Sequence, residues 1–314
     1  MGTFAFRVEA SKDGEFGIQQ EQVVVSKYGL NESYYTIKKG ILIEASHDVQ
    51  VSARIFPDRF FLTTVSALEN FRPLYDLISK ITAYNINPNL IRIPQSPDSG
   101  DLLLKDGSNI SSVIRRLSNQ KNPSFSRIQD YLRRVIPGVE SVGYAPLGQQ
   151  GTLEFRQIVK GSDAPWRFLA ANMSDGTLRS LGVITALLQN HENDEKSPKV
   201  IAIEEPESTS HPGAAAVIMD AILEASNKKQ VILTSHSPDL LDHPDLNNSD
   251  ILNVVNDGGV TFVYEVDSAA KEALKEKLFT AGELLRKNQL ISVGANTKPL
   301  QATQYELFKN IENA

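Results

Sequence analysis

The chain has 314 residues, of which 41% are hydrophobic and 22% are charged, and its formal net charge at pH 7 is −6. This is enough for two compact domains or for one large α/β domain with an insertion. The absence of cysteine excludes disulfides, thiol catalysis and cysteine-ligated zinc. The acidic balance does not favour a nucleic-acid surface over the whole chain. No apolar stretch reaches membrane-spanning length, so we expect a cytoplasmic protein without a membrane partner.

The first part of the chain alternates apolar and polar residues in short segments. Residues 3–56 predict a β-meander, and we assign residues 1–60 to an antiparallel β subdomain. Apolar residues then recur at three- and four-residue spacing, which indicates a helical lobe or insertion at residues 61–138. Within it, residues 86–107 are rich in Pro, Asn, Asp and Ser and predict a long loop.

The second half of the chain predicts an α/β core at residues 139–290, followed by a polar C-terminal tail at residues 291–314. After strand-like alternation at residues 139–159, the core is expected to contain a helix at about 177–189, a strand at 200–204, a helix at about 212–226, a strand at 231–234, a hairpin at 251–255 and 260–266, and a helix at about 269–287.

Two predicted strands end in residues that handle charge. The first ends in Glu204-Glu205, and the second is followed by Ser235-His236. Buried parallel strands open at their carboxyl ends onto ligand sites. One carboxylate could hold Mg²⁺ through its water shell, and the other could orient or deprotonate an attacking water. The alternative interpretation is a pair of solvated acids and a histidine that bonds only to the main chain.

Two further segments stand at helix starts. Ser174-Asp175-Gly176 precedes an apolar-periodic helix. These residues could simply cap the helix, or the free N–H groups and the helix dipole could bind a phosphate that the glycine allows to approach. Ser210-His211 precedes the next helix, where His211 either caps the helix or makes a contact across a subunit interface.

The order and spacing of these segments resemble a known family. Residues 173–179 resemble the signature motif of ABC/SMC-type ATPase heads, and residues 200–205 resemble Walker B with its catalytic glutamate. Residues 208–212 occupy the place of the D-loop, and residues 234–238 resemble the switch-histidine segment. The residues of these motifs are most similar to those of the RecF/OLD-like AAA ATPases of prokaryotes, many of which are linked to DNA metabolism or phage defence.

The resemblance implies a P-loop NTPase-like α/β core with an antiparallel β-meander and an inserted helical lobe. It implies a homodimer in which two protomers sandwich ATP. Glu204 would support Mg²⁺, Glu205 would position the hydrolytic water, and His236 would contact the γ-phosphate. The residues expected to bind the nucleotide across the dimer are Ser174, Asp175, Gly176, Ser210 and His211.

Three departures from the family pattern matter. Glu204 stands where Walker B usually has Asp, which this subgroup tolerates, and Asp175 stands where transporters have Gly, which argues against a membrane transporter. No G-x-x-x-x-G-K-[ST] phosphate loop occurs in the sequence, so the first strand and the P-loop of the head are absent from it. Either the chain is a fragment of a longer protein, or its gene has lost nucleotide binding. We therefore expect the chain alone to bind ATP poorly and to hydrolyse it negligibly.

Three functions remain open from the sequence. The first is an ATPase head coupled to DNA or to a nuclease partner. The second is a non-catalytic module that keeps the head fold for dimerisation or partner binding. The third is a metal-dependent phosphodiesterase built on Glu204, Glu205, His236 and Asp239, which would leave the segment at residues 173–179 unexplained.

Overall fold

The computed structural model describes residues 2–10, 16–27, 31–50, 55–189, 197–208, 212–246 and 251–290. Contacts divide the chain into two compact units, Met1–Ile81 and Thr82–Ala314. The sequence analysis placed boundaries after residues 60 and 138 instead. The helices of residues 61–81 therefore belong to the unit of the N-terminal sheet, and residues 82–138 belong to the unit of the α/β core.

The first unit contains an antiparallel sheet with strand order β1-β2-β3-β4 and two helices. Its elements are β1 (Gly2–Ala10), β2 (Phe16–Lys27), β3 (Asn31–Lys38), β4 (Ile41–Ala45), α1 (Leu62–Val65) and α2 (Arg72–Ser79). Because side chains alternate across a strand, Val23 and Tyr35 point to one face, where Phe61 and Phe71 complete an apolar core. The predicted antiparallel meander is present.

A carboxylate lies inside this first core. Glu21 is 1% exposed and accepts hydrogen bonds from the Tyr35 hydroxyl at 2.5 Å and from the main-chain N–H groups of Phe61 and Leu62 at 2.7 and 2.9 Å. These donors tie β2 and β3 to the start of α1. A buried carboxylate is stable in a folded protein only when its oxygens are paired in this way.

The second unit combines a parallel sheet, an antiparallel sheet and a hairpin. Its elements up to the first core helix are β5 (Thr82–Tyr84), α3 (Pro88–Arg92), α4 (Ile110–Asn119), α5 (Pro123–Val135), β6 (Val139–Leu147), β7 (Gln150–Gln157), β8 (Trp166–Leu169) and α6 (Asp175–Leu188). The remaining elements are β9 (Val200–Glu204), α7 (Pro212–Ser226), β10 (Gln230–Thr234), α8 (Pro238–Leu241), β11 (Leu252–Asp257), β12 (Val260–Glu265), α9 (Ser268–Lys275) and α10 (Ala281–Arg286).

The second unit contains three separate sheets. Parallel strands lie in the order β10-β9-β5, antiparallel strands in the order β6-β7-β8, and β11 pairs with β12. One apolar core joins the parallel sheet to the helices α4, α5, α6 and α7 and to the sheet β6-β7-β8. Helix α6 is buried nearly all round, as expected for a central helix. Helices α4 and α5, which come from the segment predicted as a helical lobe or insertion, pack in this core.

Three local differences from the predicted elements have clear causes. The strand β5 was not foreseen, because three residues are too few to show alternation. The predicted loop at residues 86–107 contains α3, which Asn87 caps by accepting a hydrogen bond from the N–H of Asn89. The predicted C-terminal helix is split into α9 and α10, because Lys277 adopts a left-handed φ of +56° between them. None of the helices within the described ranges has both the length and the apolar character of a membrane span.

Candidate functional site at the carboxyl ends of the parallel strands

The parallel register brings the predicted charged residues to one edge of the sheet. Thr234 of β10 pairs with Glu204 of β9, and Tyr84 of β5 pairs with Ile203. The three strands thus end side by side, followed by Asn85, by Glu205 and by the Ser235-His236 segment. Neighbouring parallel strands that end together form the usual position of a ligand site in α/β proteins.

Glu204 is exposed at this edge and is held from β5. The Nδ2 atom of Asn85 donates a hydrogen bond of 2.9 Å to Oε2 of Glu204. The second carboxylate oxygen of Glu204 has no hydrogen-bond partner within the described part of the chain. No group of three or more His, Cys, Asp or Glu side chains suited to a metal is present within the described ranges. A cation at Glu204 would therefore need water or phosphate oxygens for most of its shell, as Mg²⁺ commonly has.

Glu205 adopts a left-handed backbone conformation with a φ of +40°, which is strained for a residue other than glycine. Its N–H donates to the carbonyl oxygen of Thr234 at 2.9 Å, and the Ser208 hydroxyl donates to its Oε2 at 2.7 Å. The turn directs the carboxylate towards the end of β10, where Oε1 lies 3.8 Å from Nε2 of His236. Non-glycine residues in this conformation cluster at functional sites.

His236 is held by its neighbours while its ring projects into solvent, with 92% of the side chain exposed. The Ser235 hydroxyl donates to Oε1 of Glu207 at 2.5 Å and accepts from the N–H of Ser237 at 2.9 Å. Ser237 in turn caps α8 by accepting from the N–H of Leu240. The flanking residues fix the main chain, so the imidazole is free to contact a ligand.

The N-terminus of α6 carries the predicted helix cap. Ser174 caps the helix by accepting from the N–H of Thr177 at 3.2 Å. Asp175 and Gly176 form the first helical positions. Arg92 of α3 donates to the carbonyl oxygen of Met173 at 2.6 Å and forms an ion pair with Asp175. The charge of Asp175 is therefore neutralised, which keeps the helix N-terminus compatible with an anion.

A second arginine, Arg179, joins α6 to the end of strand β9. Arg179 donates to the carbonyl oxygens of Ile86, Glu204 and Glu205. Arg179 lies about one turn after Gly176. The N-terminus of α6 and the carboxyl end of β9 consequently lie at the same end of the core. Ser210 and His211, which were predicted to contribute to the site, lie outside the described residues.

Sequence reasoning missed three residues that hold this site together: Asn85, Arg92 and Arg179. Asn85 directly precedes the segment at residues 86–107 that was predicted as a loop, Arg92 lies within that segment, and neither belongs to a recognisable pattern. Arg179 was part of the motif at residues 173–179 but received no role. The only sequence signal was its position on the helix four residues after Asp175, which places both residues on one face.

The segment after His236 is clamped by the C-terminal helix α10. Arg286 binds Asp239 at 2.6 Å and Asp242 at 2.9 Å, and the Thr280 hydroxyl donates to Asp242 at 2.5 Å. Burial tends to raise the pKa of Asp242, but the hydrogen bonds from Thr280 and Arg286 outweigh it, so the pKa lies below its usual range. Asp239 is thus engaged in an ion pair with Arg286.

A surface groove of about 450 Å³ lies on α5 and α7, away from the strand ends. Two carboxylates that line the groove are paired: Asp220 with Arg134 and with the ring of His243 at 3.0 Å, and Glu224 with Arg127. Burial, followed by the hydrogen bond to Glu224, raises the pKa of Tyr131 to about 12. These pairs fasten α5 and the loop after α8 to α7.

Solved structures similar to this chain include SMC head domains. The SMC head domain from Thermotoga maritima is 12% identical, with a TM-score of 0.38, and the match covers 82% of this chain and 78% of that chain. The SMC head bound to the C-winged helix domain of ScpA is 15% identical, with a TM-score of 0.43, and the match covers 85% of this chain and 79% of that chain. No curated protein matches the chain.

A family model matches residues 39–242, which is more than half of the chain and includes the strand ends and the N-terminus of α6. The model is described as an AAA domain, putative AbiEii toxin, type IV toxin–antitoxin system. The match confirms the predicted resemblance to AAA-family ATPases. The described helices and strands confirm the predicted α/β fold class. The chain belongs to this AAA-domain family.

Proposed function

We propose that this chain carries the hydrolytic half of an ATP site in the head of a homodimeric ATPase. The observation that supports this most directly is the convergence of Glu204, Glu205 and His236 at one edge of the parallel sheet. Asn85 donates a hydrogen bond to one carboxylate oxygen of Glu204, and Ser208 donates one to Oε2 of Glu205. The other oxygen of Glu205, Oε1, lies on the side of His236. The site is arranged to act on a ligand that lies above the strand ends.

The chemistry of each group supports a distinct role. Glu204 would support Mg²⁺, whose bound charge would neutralise phosphate oxygens. Glu205, held by Ser208, would orient or deprotonate the attacking water. His236 would contact the γ-phosphate through its exposed ring. The family membership of the chain supports ATP as the nucleotide.

The N-terminus of α6 would serve the partner protomer. Ser174, Asp175 and Gly176 would bind the γ-phosphate held by the other chain, since the helix dipole and free N–H groups favour an anion. The ion pair between Arg92 and Asp175 supports this role because it removes a repelling charge. Ser210 and His211 would lie across the dimer interface.

The chain itself is expected to bind ATP only weakly. It contains no G-x-x-x-x-G-K-[ST] loop, so the main-chain cradle and the lysine for the β- and γ-phosphates are missing from this sequence. Isothermal titration calorimetry of residues 1–314 with Mg-ATP should show no binding with a low-micromolar dissociation constant. An ATPase assay of the same chain should show no measurable hydrolysis. Low-micromolar binding would contradict this expectation and would place a phosphate cradle elsewhere in the chain.

Glu205→Gln is expected to lower the rate of hydrolysis strongly in a form of the protein that supplies a phosphate loop. The DNA upstream of residue 1 should be translated for an in-frame G-x-x-x-x-G-K-[ST] within about 100 residues, the scale of one further small domain segment. In that extended chain, the substitution should lower kcat by about 100-fold or more, because the amide cannot accept a proton, and ATP binding should persist. The exposed Glu140 provides the matched control as Glu140→Gln. Unchanged kcat in Glu205→Gln would overturn the assigned role.

A non-catalytic dimerisation or partner-binding module is the second candidate, favoured by the missing phosphate loop. A stop codon directly upstream, together with ATP-independent dimerisation, would support it. The phosphodiesterase interpretation loses support, because Asp239 is bound to Arg286 and no cluster of three ligands is present among the described residues. A coupled effector of the DNA or nuclease class remains part of the proposal, as does a role in DNA metabolism or phage defence.

A further inference from the structure

The guanidinium group of Arg179 binds the main chain rather than a carboxylate. Its Nη1 donates to the carbonyl oxygen of Ile86 at 2.6 Å, and its Nη2 donates to those of Glu204 and Glu205 at 2.9 and 3.2 Å. We propose that Arg179 is a positioning residue that holds the Glu204–Glu205 turn and thereby sets the direction of the Glu205 carboxylate. This inference rests on the proposed function, in which that carboxylate orients the attacking water.

The conformation of Glu205 is the first reason for this assignment. A φ of +40° is unfavourable for a residue with a Cβ atom, so surrounding contacts must hold it. The N–H of Glu205 is bonded to Thr234, which fixes only one side of the residue. Arg179 binds the carbonyl oxygens of both Glu204 and Glu205, and so it restrains the peptide groups on either side of the strained φ.

The chemistry of arginine is the second reason. A planar guanidinium presents several donors in fixed directions, so it can reach three carbonyl oxygens that lie around it, which a lysine ammonium does less well. The Nε atom of Arg179 is also buried and has no hydrogen-bond partner among the described residues. Arg179 is half-buried, and a buried donor atom without a partner is unfavourable, so simple packing does not account for arginine at this position.

Arg179 also connects helix α6 to the Glu205 turn. Helix α6 begins at Asp175, where Arg92 holds both Asp175 and the carbonyl oxygen of Met173. A displacement of α6 along its axis would therefore be transmitted through Arg179 to the Glu205 turn.

A double-mutant cycle in residues 1–314 tests the proposal without any nucleotide. Arg179→Met removes the donors and keeps a long side chain, and Glu205→Gly removes the penalty of a positive φ. Arg179→Met should lower the melting temperature by roughly 5 °C in the native background and by less than about half of that in the Glu205→Gly background. Equal losses in both backgrounds would overturn the proposal, because Arg179 would then only pack.

Amide hydrogen exchange gives a second readout that general packing would not reproduce. Arg179→Met should accelerate exchange at the Glu205 N–H by about 10-fold or more, while Arg133→Met should leave it unchanged. Arg133 is a suitable control because it also binds a main-chain carbonyl, that of Glu140, at 2.9 Å. If Arg179→Met does not fold, Arg179→Lys is measured in the same way. Unchanged exchange in a folded variant would overturn the proposal. Failure of the extended chain to hydrolyse ATP would instead overturn the proposed function and would leave these results unaffected.

Discussion

Replacement of Glu21 by alanine should lower the free energy of unfolding by about 3–5 kcal/mol, because three buried donors lose their acceptor at once. These donors are the Tyr35 hydroxyl and the N–H groups of Phe61 and Leu62. Each unpaired buried donor costs about 1–3 kcal/mol. Urea unfolding of the wild type and the variant measures the difference directly.

The control for this substitution is Glu9→Ala. Glu9 is an exposed residue of β1 in the same sheet, so its loss should change stability by no more than about 0.5 kcal/mol. A loss in Glu21→Ala as small as that of the control would show that the buried carboxylate does not organise the first core.

The pH dependence of stability provides an independent check on Glu21. Burial raises the pKa of this carboxyl above 4.5, although hydrogen bonds from Tyr35 and from the main chain at Phe61 and Leu62 lower it in part. The folded state therefore binds this proton more tightly than the unfolded state. The contribution of Glu21 is largest at acidic pH and decreases as the pH rises from 4.5 through the folded pKa.

Glu21→Gln does not titrate and should lack this contribution. The free energy of unfolding of the wild type should fall relative to that of Glu21→Gln as the pH rises from about 4 to about 8. The comparison with the variant cancels the opposite effect of carboxylates with lowered pKa, such as Asp48 and Asp220. A difference that grows with pH would contradict the assigned direction of the shift.

Replacement of Gly282 by alanine is expected to weaken the packing of α10 on α8 and to lower the free energy of unfolding by about 3 kcal/mol. A Cβ atom at this position would lie far inside van der Waals contact with the carbonyl oxygen of Pro238 and with the carboxylate of Asp242. The main chain of α8 cannot yield as a flexible side chain could. Helix α10 must therefore move away, which weakens the bonds of Arg286 and Thr280 to α8.

Urea unfolding and amide exchange in residues 252–290 measure this effect. Gly143→Ala is the matched control, because a Cβ atom there would meet nothing within 4 Å. We expect the control to be close to neutral. If both variants are equally stable, α10 does not pack closely on α8, and the clamp next to His236 is weaker than its contacts indicate.

The sequence by itself determined the strand ends of the candidate site. Val200–Glu204 and Gln230–Thr234 are short apolar runs that end in polar residues, a pattern that is local and therefore readable. The cap at Ser174 is equally local, since a serine before an apolar-periodic helix accepts from an N–H three residues later. Local patterns of this kind depend only on neighbouring residues.

Only the tertiary structure decided which groups hold those residues. Asn85 binds Glu204 across 119 positions of the chain, and Arg92 binds Asp175 across 83. The left-handed turn at Glu205 and its bonds to Arg179 follow from the packing of α6 against the strand ends, which no short stretch of sequence encodes. A side chain's hydrogen-bond partner depends on the path of the whole chain, whereas the end of a strand depends on the few residues around it.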